Sequence, residues 1–116
     1  MKTLLIFLLA LVGTGALAGP LPLTAARTHQ LADAIYRAEG GARARVPYGI
    51  LSVPVRDAAE ARRVCLNTIR NNHRRWIAAG ARGEFIDFLA DRYCPPSADP
   101  AGNRNWKRNV RRGVSP

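Results

Sequence analysis

Apolar positions recur along residues 24–39 with the period of a helix. Leu31, Ala34, Ile35 and Ala38 fall at i, i+3, i+4 and i+7, which puts them on one face. Thr24 or Thr28 is the expected cap at its start. Gly40-Gly41 ends it, because glycine accepts the left-handed conformation just past a helix. The pattern then breaks over residues 42–56, "ARARVPYGILSVPVR". Pro47, Gly49 and Pro54 exclude a helix there and limit any sheet to short edge strands. A loop or a small irregular hairpin is expected.

Helical periodicity returns at "DAAE", Asp57 to Glu60, a capping-box pattern with Asp at the cap and Glu three residues later. Ala61, Val64, Cys65, Thr68, Ile69, Asn72 and Trp76 mark one face of a long helix that Gly80 ends. Arg62, Arg63, Arg70 and Arg74 fall on its other faces. A third helix, Glu84 to Arg92, is expected to bury Phe85, Phe88 and Leu89, with Glu84 near its positive end. Tyr93, Cys94 and Pro95-Pro96 stop it. A short last helix over "NRNWKRNV" carries Trp106 and Val110. The predicted fold class is mainly α, a small helical domain with one irregular loop.

The first residues change how much of the chain belongs to that domain. "MKTLLIFLLALVGTGALAG" has one lysine, an apolar run and then Ala16-Leu17-Ala18, the small-x-small pattern of a signal-peptidase site. Its apolar run is shorter than the roughly 20 residues of a spanning helix. Residues 1–18 therefore read as a signal peptide and 19–116 as a single exported domain, periplasmic or secreted, with no stable membrane insertion after cleavage. Cys65 and Cys94 are the only cysteines. In an oxidising compartment they are expected to be bonded, closing a loop worth on the order of 3–4 kcal/mol in the chain-entropy model. No further Cys or His stands at zinc-site spacing, so no metal is expected, nor any other cofactor.

Charge narrows the partners. Lysine and arginine total 18 against 8 acidic residues, and 16 of the basic ones are arginine. An exported protein of this charge meets anionic surfaces such as peptidoglycan, teichoic acids and lipid headgroups, rather than nucleic acid.

Among the few acids, Glu39 stands out. It follows Ile35 by four residues and Leu31 by eight, so it falls on the apolar stripe. Burial there favours the neutral carboxyl, the form that general-acid cleavage of a glycosidic bond needs. The competing reading is a helix-end carboxylate paired with Arg43 or Arg45. The placement also opposes the helix dipole, a cost unless the residue has a use.

A helix ending in Ala34-Ile35-x-x-x-Glu39, a Gly-rich turn, Tyr48-Gly49-Ile50, a long helix and a late Asn103-x-x-Trp106-x-x-Asn109-Val110 together resemble the lysozyme-like superfamily. The nearest branch is the lytic transglycosylases of the soluble-lytic-transglycosylase type. The resemblance spans most of residues 30–110, as an order of elements more than as exact motifs. It implies that Glu39 is the catalytic acid and that Tyr48 to Val53 is the strand segment lining a saccharide groove. The implied substrate-binding residues of that segment are Tyr48, Gly49 and Ser52, although Tyr48 fits a cover for the core equally well; Asn105 and Asn109 are further candidate groove contacts with Trp106, which otherwise reads as a helix anchor. Gly40 stands where the family commonly has serine, the groove glutamine is absent, and the Ala-Tyr-Asn signature that would supply a tyrosine partner is not present.

Hydrolysis by the usual scheme needs two carboxyl groups about 5–9.5 Å apart. No second acid lies between Arg43 and Arg56, and a single glutamate suits a lytic transglycosylase acting on the MurNAc–GlcNAc bond. Two other readings use the same residues differently: a wall-binding module of the same fold without catalysis, and a cationic membrane-active protein. Trp76 and Tyr93 read as structural, and His73 as part of a solvated face.

Overall fold

The computed structural model describes residues 22–51 and 54–114. The expected signal peptide and Ser52 lie outside these residues. The described chain is mainly helical: α1 (Ala25–Ala38), α2 (Ala58–Ala78), α3 (Phe85–Tyr93) and α4 (Pro100–Arg112), with 3₁₀ turns at Gly41–Arg43 and Pro47–Gly49 between the first two. The helix α1 lies against α2 and α4, and α3 against the same two. Their shared core contains Leu31 and Ile35 of α1, Cys65 and Ile69 of α2, Leu89 of α3 and Val110 of α4, all buried.

The helix ends follow from local chemistry. Thr24 Oγ1 accepts from the Arg27 amide at 3.0 Å and Asp57 Oδ1 from the Glu60 amide at 2.8 Å, each satisfying an orphan donor of a first turn. The capping box is only half closed, because Glu60 Oε2 accepts from Arg56 Nε at 2.7 Å. At the far end of α2, the Ala81 amide donates to Trp76 O at 2.8 Å and the Gly80 amide to Ile77 O at 3.0 Å. That pair of bonds is a Schellman cap, and Gly80 sits at φ +101° within it.

Four expectations are corrected. The 42–56 segment takes the loop of the two expected forms and not the hairpin, for no strand forms among its described residues. Tyr48 (φ +60°) and Gly49 (φ +65°) both take left-handed backbone, which folds the chain into a turn where a hairpin or groove strand would need extended residues. The third helix buries Ile86, Leu89 and Ala90, while Phe85 and Phe88 are half-buried at its sides. The last helix starts earlier than expected, at Pro100, with Asp99 Oδ1 accepting from the Gly102 amide at 2.9 Å. An Asp cap followed by proline at the first helical position is a start signal legible in sequence.

The fourth correction is the disulfide. Cys65 and Cys94 are free thiols. Cys65 is buried mid-way along α2, whereas Cys94 caps the end of α3 and is half-exposed. The side chain that reaches Cys65 from there is Tyr93, whose hydroxyl donates to Sγ at 3.5 Å. Desolvation pushes the Cys65 thiol up to about 11, so it stays protonated and unreactive near neutral pH. An alkylating reagent at about pH 8 should label Cys94 and spare Cys65 in the native protein. Denaturing an unlabelled sample without reductant should expose both thiols; finding neither would show that the bond forms.

Candidate active site

Glu39 occupies the C-cap of α1, one turn beyond the buried Ile35. Its amide donates to Ile35 O at 2.9 Å, which holds the residue in helical phase and aims its half-buried side chain along the core-facing stripe. Gly40 then turns the chain away at φ +109°. From α4, the Trp106 indole Nε1–H donates to Glu39 Oε1 at 3.0 Å. The indole is itself buried and stacks on the Tyr93 ring, with centroids 5.1 Å apart and planes inclined by 26°. The chain of contacts Glu39–Trp106–Tyr93–Cys65 thus ties the carboxylate to three helices.

The other side of the carboxylate is covered by backbone. A Cβ added at Gly49 would lie 2.6 Å from both Cδ and Oε2 of Glu39, closer than any real Cβ contact. Glycine is required there twice, for the close approach and for its left-handed φ. Gly49→Ala should cost about 1–2 kcal/mol of stability from the backbone alone. The flexible carboxylate must also move aside, and any activity carried by Glu39 should fall by about 10²-fold. Urea denaturation alongside an activity assay separates the two effects. Unchanged activity would mean that this contact does not position a working group.

These residues border a cleft of about 490 Å³, lined also by Arg45, Leu51, Asn105 and Asn109. Gly49, Asn105, Trp106 and Asn109 are thus brought together around Glu39. Tyr48 is not among them. It is only 5% exposed, packs on Tyr36 with ring centroids 5.2 Å apart, and its hydroxyl accepts from Arg62 at 3.0 Å. Arg62 in turn holds Asp33 at 2.8 Å. Tyr93, Arg45 and Leu51 line the cleft without having been singled out for it. The only sequence signal for Tyr93 was its place beside Cys94 at a helix end.

The eight acidic residues sort cleanly. Asp57 and Asp99 cap helices. Asp33 pairs with Arg62, Glu60 with Arg56, Asp91 with Lys107, and Glu84 and Asp87 with Arg111. Only the Glu39 side chain has neither a cation nor a capping hydrogen bond among the described residues, and it is the only carboxylate lining the cleft. The expected alternative, a bridge to Arg43 or Arg45, is not formed; the bonding partner is a neutral indole.

Titrating groups near Glu39 are held neutral. Burial, the nearby Cys65 thiol and the charge of Glu39 all push the Tyr93 phenol upward. Desolvation, then Asp99 and Glu39, raise Cys94. On the far side of α2, His73 lies between Trp76 and Phe85 at centroid distances of 5.5 and 5.0 Å. Desolvation lowers its pKa, so the solvated face expected for it is replaced by an aromatic cluster. Among the described residues no three His, Cys, Asp or Glu side chains converge as a metal would need, and no helix is long and apolar enough to cross a membrane.

No protein-family model matches this chain, and neither does any curated protein or solved structure.

Proposed function

We propose that this protein is exported and cleaves peptidoglycan glycan strands by the lytic route, with Glu39 as the single acid and then base. The observation that carries the reading is the isolation of Glu39: seven acids are spent on caps and ion pairs, and the eighth stands alone in a cleft against a glycine backbone. Oε1 is committed as acceptor to Trp106, which leaves Oε2 to carry the proton. Protonated Glu39 donates it to the glycosidic oxygen as the C1–O bond breaks, and the developing oxocarbenium charge faces the new carboxylate. That carboxylate then takes the proton of the same sugar's 6-hydroxyl, whose oxygen closes on C1 to give an anhydro product. Hydrolysis by the two-carboxylate scheme would need a second acid in the cleft, and Glu39 has none beside it.

Asn105 and Asn109 offer amide groups to sugar hydroxyls and N-acetyl groups from the same edge of α4. The formal charge of +10, which becomes +9 once residues 1–18 with Lys2 are removed, favours approach to an anionic wall. Mass spectrometry of sacculi digested with the protein tests the reading. Anhydro-muropeptides are the expected product. Reducing muropeptides would replace the lytic route with hydrolysis, and no product at all would leave a wall-binding or membrane-active role.

A further inference from the structure

A second arm of about 380 Å³ adjoins the cleft. Gly49, Leu51 and Tyr93 line both parts, and Leu51 is 83% exposed. One wall of this arm is a stripe of α2, where Thr68, Asn72 and Arg75 follow at helical spacing; Arg92, in the last turn of α3, also lines it.

Two features there have no use within the fold. Asn72 is 3% exposed, and its Oδ1 is buried without any hydrogen-bond partner. The amide cannot simply be reversed, because Nδ2 donates to Thr68 O at 2.9 Å and a flip would set oxygen against oxygen. A buried carbonyl left unpaired is costly and marks a place where a donor is missing. Arg75 and Arg92 form no ion pair among the described residues, although both line the arm. Two like charges around one cavity attract an anion, and guanidinium groups bind carboxylates through paired hydrogen bonds.

We infer that this arm is a binding site for a carboxylate-bearing peptide carried on the glycan strand, with Asn72 Oδ1 accepting a peptide N–H and Arg75 and Arg92 holding the carboxylate. The inference rests on the proposed action of Glu39 on that strand and adds what the neighbouring cleft selects. A site that takes an N–H donor beside an anion held by two arginines fits a peptide, which carries several backbone N–H groups and carboxylates, better than the stripped disaccharide, which offers only its acetamido N–H groups and one lactyl carboxylate. It also fits better than a polyphosphate, which offers no N–H.

The test uses the Glu39→Gln protein, so that bound fragments are not consumed. Calorimetric titration compares a wall disaccharide carrying its peptide, with free carboxylates, against the same disaccharide stripped of peptide. The peptide-bearing fragment should bind about tenfold more tightly. Adding Arg75→Ala and Arg92→Ala together should remove that preference while leaving the affinity for the stripped fragment unchanged, which also reports an intact fold. Asn72→Leu should lower peptide affinity with little change in melting temperature, because loss of the Nδ2 bond to Thr68 O is offset by removal of a buried unpaired acceptor. Equal binding of the two fragments overturns the peptide site but leaves glycan cleavage standing. A preference that survives loss of both arginines, or displacement of the peptide fragment by a phosphate polymer at equal concentration, also overturns it. Binding of neither fragment overturns the site, and if wild-type digestion also yields no product the cleavage proposal falls with it.

Discussion

Glu39→Gln should lower release of anhydro-muropeptides by about 10²–10⁴-fold, the range that general acid–base groups supply, with no loss of stability. The amide is isosteric, and its carbonyl can still accept from the Trp106 indole that now bonds Oε1 at 3.0 Å. A structural carboxylate would behave in the opposite way, losing stability and leaving activity proportionate to folded protein. Parallel urea denaturation and muropeptide analysis of the same preparation decide between them. Full activity in the variant would remove Glu39 from the mechanism.

Trp106 carries the second large effect, on stability as well as on activity. Trp106→Ala removes a buried ring stacked on Tyr93, and truncating a buried tryptophan to alanine costs about 3–5 kcal/mol. Against the roughly 5–15 kcal/mol of a typical domain, that is a large fraction. The variant should melt far below the parent or fail to accumulate. Trp106→Phe separates packing from hydrogen bonding. It keeps an aromatic face for Tyr93 but has no N–H for Glu39. It should stay folded, with turnover reduced by about 10- to 10²-fold because the carboxylate is no longer held in one orientation. If Trp106→Phe turns over at the parental rate, the indole bond is packing detail and the positioning role belongs to Gly49 alone.

The same pair of residues shows how much could be read beforehand. Glu39 was identifiable because its position depends only on local geometry: four and eight residues past two apolar positions, followed by glycines. The partner was not. Trp106 lies 67 residues away, and nothing in the spacing of "NRNWKRNV" says which way its indole points. Arg43 and Arg45, four and six positions from Glu39, suggested a salt bridge, yet the turn at Gly40 and the 3₁₀ turn after it carry them off. Tyr48 shows an ambiguity of the opposite kind. An aromatic in an irregular loop fits a sugar contact or core cover equally, and the left-handed backbone at that residue goes with a ring in the core and a hydroxyl bonded to Arg62. The cysteines misled for a related reason, since an even pair in an exported chain implies a bond only if the two Cβ atoms come within reach.

Helix phase, capping and the left-handed turns belong to the sequence alone, because each depends on residues within one or two turns of one another: Thr24 and Asp57 at the caps, Gly40 and Gly80 beyond the ends. So does the scarcity of acids that singles out Glu39. The tertiary structure decided the rest. It set Gly49 over the carboxylate, placed Trp106 and Tyr93 beside it, left both thiols free, and opened the arm that Asn72, Arg75 and Arg92 line. Those pairings arise where four helices pack against one another, and side chains far apart in the chain meet there according to the geometry of packing, which no local spacing encodes.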